Sequence, residues 1–332
     1  MGGIDVVIAI VSYRSAGLTI NCLRSIEAER STPGVSIRTI VVDNASGDAS
    51  AIVEAIEENS WSSWVTVVRA PRNGGFSYGN NLAFRHAHEA RRPDYFHLLN
   101  PDTLVRKGAI GALVTFLEKH PNVGIAGGSF ENLDGSDWPV AFRFPSIMSE
   151  IEGGLQLGLA TRVLQRWAVA VGMSSEAQPI DWVPGASMMV RREVFDAIGG
   201  FDENYFLYFE ETDFCFRAKK AGFPTWYVPE SRVMHISGQS TGVTAHNVAL
   251  KRLPPYWFES RRRYFVATYG TAYATMVDVV ALLANSIGSL KRIVQRRKNL
   301  GVPHFLTDLV HHSPIWPSNR KAASAKPHVA HL

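Results

Sequence analysis

The chain has 332 residues, 46% of them hydrophobic and 19% charged, an ordinary core-forming composition that excludes a disordered or fibrous chain and leaves room for one large domain or two. Its net charge of +4 is uneven: from Lys251 to Lys298 ten Lys and Arg stand against Glu259 and Asp278, a local +8, so the remainder carries 4 minus 8, about −4. A mildly acidic body with a basic tail argues against a nucleic-acid binder and points to an anionic surface near the tail.

The first apolar run, Ile4 to Val11, has the length of a strand rather than of a signal peptide. Val6 stands where a myristoylation signal wants Ser or Thr. Asp5 to Val11 predicts a strand covered on both faces, ending in Ser12-Tyr13-Arg14. A helix from Gly17 to Glu29 carries Leu18, Cys22, Leu23 and Ile26 on one stripe. Cys22 and the distant Cys215 give no disulfide framework and fit a reducing compartment. Ile37 to Val42 is the second strand, closed by Asp43-Asn44-Ala45-Ser46. A helix at Ser50 to Asn59 and a strand at Val65 to Val68 follow. Short apolar strands alternating with helices predict a parallel, doubly wound sheet with right-handed crossovers. Ligands bind outside the carboxyl ends of such strands. That edge collects Ser12, Tyr13, Asp43 and Asp102.

The stretch Arg72 to Asn81 contains Gly74-Gly75, which lets a ligand approach the backbone, and leads a helix running to Ala90 whose N-terminus favours anions. A plain glycine turn reads equally well from these residues. Tyr95 to Leu99 is a buried strand; Pro101 cannot donate to a ladder, so the strand ends at Asn100 and leaves Asp102 just beyond it. A carboxylate there can hold a hard cation if a ligand phosphate supplies further oxygens, although Asn-Pro-Asp is also good turn chemistry. A helix at Lys107 to Lys119 and a strand at Val123 to Gly127 complete the first half.

Asn132 to Ala177, with a helical stretch from Ile151 to Val171, reads as an insertion over the open edge, either an acceptor wall or core packing. Trp182 to Val190 is strand-like, and Arg191 to Ile198 a short helix. The aromatic run Tyr205 to Phe209 leads straight into Glu210-Glu211-Thr212-Asp213 and a helix through Ala221. Acids in a first turn suit the helix dipole; a carboxylate among aromatics also has its pKa raised, which suits a base. His235 follows the strand Phe223 to Val228, as a satisfied core residue or as a ligand.

Taken in order, Val11-Ser12-Tyr13, Val42-Asp43-Asn44-Ala45-Ser46, Asn73-Gly74-Gly75-Phe76 with Gly79 and Asn81, Leu99-Asn100-Pro101-Asp102, Trp182-Val183-Pro184-Gly185-Ala186, Gly199-Gly200-Phe201-Asp202, Phe209-Glu210-Glu211-Thr212-Asp213 and His235 resemble the family 2 glycosyltransferases with the GT-A fold. The likeness is to the rhamnosyltransferase-like branch of bacterial polysaccharide assembly and covers Val6 to Gly242. It implies an α/β GT-A fold over 1–245, with a nucleotide-sugar-binding half (1–130) and an acceptor and catalytic half (131–245). It implies that Ser12, Tyr13 and Asp43 bind the nucleoside and that Asn73, Gly75 and Asn81 line the sugar-nucleotide pocket beside Asn100. Asp102 and His235 would hold Mg or Mn. Glu211 would be the general base, with Glu210 beside it and Asp213 supporting. The implied reaction is inverting transfer of a sugar, such as the deoxyhexose L-rhamnose, from a nucleotide diphosphate donor to a saccharide or polyprenyl-linked acceptor.

Two positions depart from the family pattern. Asn100 replaces the first acid of the usual Asp-x-Asp, so the cation is expected to arrive with the donor. Glu210-Glu211 replaces a Glu-Asp pair, which leaves the base open between the two. A nucleotidyltransferase needs a glycine- and base-rich loop after its first strand, and Ser12 to Gly17 is a poor version. A non-catalytic saccharide-binding module is disfavoured by Asp102, Glu211 and His235.

The region 246–300 reads as a basic, apolar helical extension. Thr271 to Leu290 has Asp278 as its one charge and is followed by the basic run Lys291 to Lys298. Length allows a span; Asp278 and Asn285 make it a poor one. An interfacial helix on an anionic leaflet, at the inner face of the cell membrane with the enzyme in the cytoplasm, competes with a helix packed on the domain. Residues 301–332, polar with scattered Pro, are expected to be disordered.

Overall fold

The structure, a computed structural model, describes residues 3–132, 135–138, 140–155, 162–236, 251–296 and 301–323. β1 (Ile4–Ser12) is buried along almost its whole length, as its unbroken apolar run requires. α1 (Ala16–Glu29) buries Cys22, Leu23 and Ile26 against it. β2 (Val35–Asp43), α2 (Ala49–Glu58), β3 (Val65–Arg69), α3 (Gly75–Ala90) and β4 (Tyr95–Leu99) continue the alternation, and β5 (Thr103–Val105) follows at once. α4 (Ala109–Lys119) and β6 (Ile125–Glu131) lead to β7 (Asp137–Trp138), α5 (Ile147–Leu155) and β8 (Gln178–Ile180). β9 (Ser187–Arg191), α6 (Arg192–Ile198), α7 (Glu210–Lys220) and β10 (Thr225–His235) complete one sheet in the order β3-β2-β1-β4-β9-β6-β10-β5.

The α/β expectation holds: β1–β2, β2–β3, β1–β4 and β6–β10 are parallel, and a single hydrophobic core runs through both halves. β9 runs antiparallel between β4 and β6. β10 is longer than its apolar run suggested; a register shift between Val228 and Arg232 bends it so that its last residues pair with β5, His235 opposite Thr103. Inside the core His97 sits on β4, fully buried, with Nε2 3.0 Å from Ser187 Oγ; burial pushes its pKa down to about 4.

The helix expected over Ile151 to Val171 starts earlier and is shorter. Gln165–Trp167 is only a 3-10 turn, because the backbone beyond it pairs with Phe142 and Arg143: Arg143 N donates to Val169 O at 2.7 Å. Residues 156–161 of that stretch lie outside the described residues.

The tail departs furthest from expectation. α8 (Pro255–Tyr269), α9 (Thr271–Val294), α10 (Phe305–His312) and α11 (Pro317–Ala323) form a helical subdomain against the sheet domain. Much of 301–323 is therefore helical rather than disordered, since Leu309 and Phe305 close a small core with Phe258 and Ala281. Arg261, Arg262 and Arg263, three of the ten basic residues behind the tail's local +8, are buried. Arg261 bonds Asp278 and, at 2.9 Å, Glu150; Arg263 Nε reaches Asp202 at 2.7 Å. Asp278, which made a poor spanning helix, is thus a paired internal charge. One face of α9 is small and packs on α5 so closely that a Cβ on Gly288 would lie 2.2 Å from Gly154 O. Arg297, Lys298 and everything past 323 lie outside the described residues.

Candidate active site

The carboxyl ends of β1, β2 and β4 open into a cavity of about 370 Å³. Its floor on the β1–β2 side is held by Asn44. The Asn44 amide donates to Asn73 Oδ1 (3.0 Å) and Gly75 O (3.1 Å), and its Oδ1 accepts from Gly74 N (3.3 Å). The loop before α3 is therefore fixed, with Tyr13, Asn73 and Gly75 lining the cavity. Gly75 has φ +82°, and a Cβ there would fall 2.0 Å from Phe206 O. Only glycine allows that approach. Phe76 N donates to the same Phe206 carbonyl at 2.9 Å.

Asp102 is 1% exposed and lies past the end of β4 beside Asn100, both lining the cavity. The β10–β5 pairing carries His235 to it across the fold, with Ile236 N donating to Asp102 O at 2.9 Å. His235 Nε2 is 3.3 Å from Asp102 Oδ1. The imidazole is stacked on Trp138 (centroids 5.0 Å, 17°) and edged by Phe130, which fixes its plane.

Glu210 and Glu211 enter from the other wall, on the first turn of α7. The two preceding residues, Tyr208 (φ 71°) and Phe209 (φ 65°), are both in the left-handed region. For non-glycine residues this costs roughly 1–2 kcal/mol each, held by the surrounding structure. Among the described residues the buried Oε2 atoms of both glutamates have no hydrogen-bond partner. Burial pushes the Glu211 pKa up to about 7, against the backbone N–H groups of Glu211 and Gly185, which lower it. Glu210 is raised well above the ordinary carboxyl value, by burial first and then by the neighbouring Glu211 charge. The two carboxyls are neighbours, and burial holds both above the ordinary carboxylate range.

Tyr13, Asn73, Gly75, Asn100, Asp102, Glu210, Glu211 and His235 thus share one cavity. Four expected residues do not line it. Ser12 turns into a buried cluster with Ser15 and Thr19, at 3.0 Å from each hydroxyl. Asp43 accepts from Ser46 and caps the turn after β2. Asn81 is fully buried in α3: it accepts from Phe201 N (2.9 Å) and donates to Phe201 O (2.9 Å) and Glu203 (3.0 Å), so its amide fastens the Gly200–Glu203 turn and is not a pocket residue. Asp213 points inward to Arg217 at 2.8 Å; burial raises its pKa although the guanidinium opposes the shift. Sequence reasoning passed over Asn44, Trp138, Phe206 and Tyr208. Asn44 was signalled only by standing next to Asp43 at a strand end.

Residues 4–250 match a family model described as glycosyltransferase like family 2. The chain is 35% identical over 153 residues (45% of its length, 49% of the relative's) to an N-acetylglucosaminyl-diphospho-decaprenol L-rhamnosyltransferase of Mycobacterium tuberculosis. It is 27% identical over 164 residues (48% and 60%) to the rhamnosyltransferase WbbL of Escherichia coli. It is 29% identical over 223 residues (65% and 62%) to the low-salt glycan biosynthesis hexosyltransferase Agl10 of Haloferax volcanii. The chain thus spans about half the length of the first of these relatives. The mannosyltransferase PcManGT of Pyrobaculum calidifontis, solved with GDP-Man and Mn2+, superposes with a TM-score of 0.51 at 14% identity over 97% of this chain and 86% of its own; at that identity it shows the shared GT-A-like fold alone. With a family model matched over most of its length and the family's motifs gathered at one sheet edge, the chain belongs to the family 2 glycosyltransferases.

Proposed function

We propose that the protein is an inverting, metal-dependent glycosyltransferase that moves a deoxyhexose such as L-rhamnose from a nucleotide diphosphate donor to a polyprenyl-linked saccharide, in cell-surface polysaccharide synthesis. One observation carries the reading: a single cavity presents Asp102 with His235 on one wall and, on another, Glu211, a carboxylate poised to take a proton near neutral pH. The relatives' names supply the sugar and the lipid carrier.

Asp102 and His235 fit a divalent cation. Their 3.3 Å separation is close to the roughly 3 Å between adjacent ligands of one octahedral Mg or Mn ion, and the donor set is one hard oxygen and one imidazole. Asp102 and His235 would hold the cation at one wall of the cavity, with the donor supplying further oxygens. When bound, the cation offsets the charge that builds on the leaving diphosphate. The Asn44-braced loop holds the donor, with Tyr13 and Asn73 toward the nucleotide. Glu211 accepts the proton of the acceptor hydroxyl as its oxygen attacks the anomeric carbon. The bond from that carbon to the diphosphate oxygen breaks, its electron pair leaving with the diphosphate. Glu210 stands beside Glu211 on the same helical turn. One base suffices for a single displacement, hence inversion.

The same reading places the enzyme in the cytoplasm, peripheral on the anionic inner face of the membrane. Met276, Val279, Leu283, Ile287, Leu290 and Val294 lie on the outward face of α9 at spacings of three and four, 41% to 75% exposed, with Lys291, Arg292 and Arg296 at its end. An apolar stripe of that size flanked by basic residues suits the headgroup boundary of an anionic leaflet. The paired Asp278 and the packing of the other face on α5 speak against a span.

The test is a panel of nucleotide-sugars with Mn and a polyprenyl-diphosphate-linked N-acetylglucosamine, read by mass spectrometry. The expected result is one donor consumed, its nucleoside diphosphate released and the acceptor one deoxyhexose heavier. Donors left intact across the panel would overturn the reading.

A further inference from the structure

α8 sits where the sequence suggested a membrane-associating extension, yet one of its faces is spent on the segment that carries the glutamates. Tyr256, Ser260, Arg263 and Tyr264 recur at the spacing of one helix face. Each touches the run from Asp202 to Phe209. The Tyr256 ring stacks on Tyr208 (6.0 Å, 14°) and leans on Phe206 (5.4 Å, 59°). Ser260 Oγ donates to Leu207 O at 3.0 Å, Arg263 Nε to Asp202 at 2.7 Å, and Tyr264 meets Phe209 at 5.6 Å. On its other side the run is held at the Phe206 carbonyl by Phe76 and at Glu203 by Asn81 and Arg85. Two consecutive non-glycine residues in the left-handed region need this kind of outside support, and both, Tyr208 and Phe209, contact α8.

We infer that α8 is a positioning element of the active site: Tyr256 and Ser260 hold the Phe206–Phe209 backbone in the left-handed turn that aims Glu211 into the cavity. Neither touches the reacting atoms; they act through Leu207 and Tyr208. The inference deepens the transferase reading and rests on it for the kinetic consequence. The placement of the loop can be measured without it.

The experiment compares the full-length wild type with Tyr256→Ala, Ser260→Ala and Tyr256→Phe. Amide hydrogen exchange is followed over residues 206–213 and over β1 and β2, with and without Mn and a nucleoside diphosphate. Tyr256→Ala and Ser260→Ala should speed exchange in 206–213 and leave β1 and β2 unchanged. With the donor found by the panel, kcat should drop about 10- to 100-fold, since misplacing a catalytic group by about 1 Å has that effect. Donor KM should stay within about twofold, and Tyr256→Phe, which keeps the ring, should restore kcat. Unchanged exchange at 206–213 would overturn the inference. So would unchanged kcat in both alanine variants, or a loss of kcat accompanied by faster exchange throughout the sheet. A wild type that turns over no donor would count against the transferase reading, and the exchange comparison would still decide the role of α8.

Discussion

Replacing Glu211 with Gln tests the base on two independent axes. The change keeps shape and hydrogen-bonding capacity and removes the proton acceptor, so transfer should drop about 10²- to 10⁴-fold. With a pKa of about 7 in the wild type, roughly a tenth of Glu211 is ionised at pH 6 and nine tenths at pH 8, so kcat should climb about ninefold between them. The variant's residual rate should lack that limb. The second axis is stability. A carboxyl whose pKa rises from 4.5 to about 7 on folding binds more protons folded than unfolded, so ionising it costs stability as pH rises through that window. Removing the charge should make Glu211→Gln more stable than wild type above pH 7, by on the order of 1–3 kcal/mol, and equal to it below pH 4. Glu210 stands beside the base without taking the acceptor's proton, so Glu210→Gln should lose less than about tenfold. Single-turnover transfer from pH 5.5 to 9, with urea unfolding at the same values, provides both readouts. A dead Glu210→Gln beside an active Glu211→Gln would refute the assignment.

Asp102→Asn should abolish Mn-stimulated transfer, a loss of about 10²-fold or more, and EDTA should do the same to wild type; full activity in EDTA would remove the cation from the scheme. Leu283→Glu with Ile287→Glu places two charges on the exposed stripe of α9, where surface changes cost little stability. Sedimentation with anionic vesicles should fall away while the melting temperature stays within a few degrees, and undiminished binding would count against the membrane face. His97 is depressed to about 4 in the fold against about 6.5 unfolded, so the unfolded chain binds the extra proton between those values. Stability should drop by on the order of 3 kcal/mol as pH falls from 6.5 to 4, and His97→Gln should flatten that slope in urea titrations.

The N-terminal half was legible because its evidence is local. Continuous apolar runs at β1, β2 and β4 can only be doubly covered strands, and Pro101 marks where the last one stops. The meeting of His235 with Asp102 had no local trace: it depends on an antiparallel pairing of β10 with β5 and on a bulge, which residue spacing does not encode. Asn81 misled because a helix offers the same residue a cavity or a core, and the partner that decides, the Gly200–Glu203 turn, is remote in sequence. The three arginines of α8 misled for a related reason. A charge run is usually solvated, and the partners of these, Glu150 and Asp278 for Arg261, the His312 carbonyl for Arg262 and Asp202 for Arg263, are scattered along the chain.

The contact between Gly75 and the Phe206 carbonyl has a thermodynamic consequence. Phe76 N–H and Phe206 O join the Asn73–Gly75 loop to the turn that leads into Glu210 and Glu211, with no room for a side chain between them. Substitutions at the two walls are therefore not independent perturbations. A change at Asn73 shifts a backbone bonded to the turn before Glu211, and should register in kcat as well as in donor affinity. Double-mutant cycles between Asn73 and Tyr208 should leave an interaction term of about 0.5–3 kcal/mol, where a pair with no shared partner more than about 7–10 Å apart would sum.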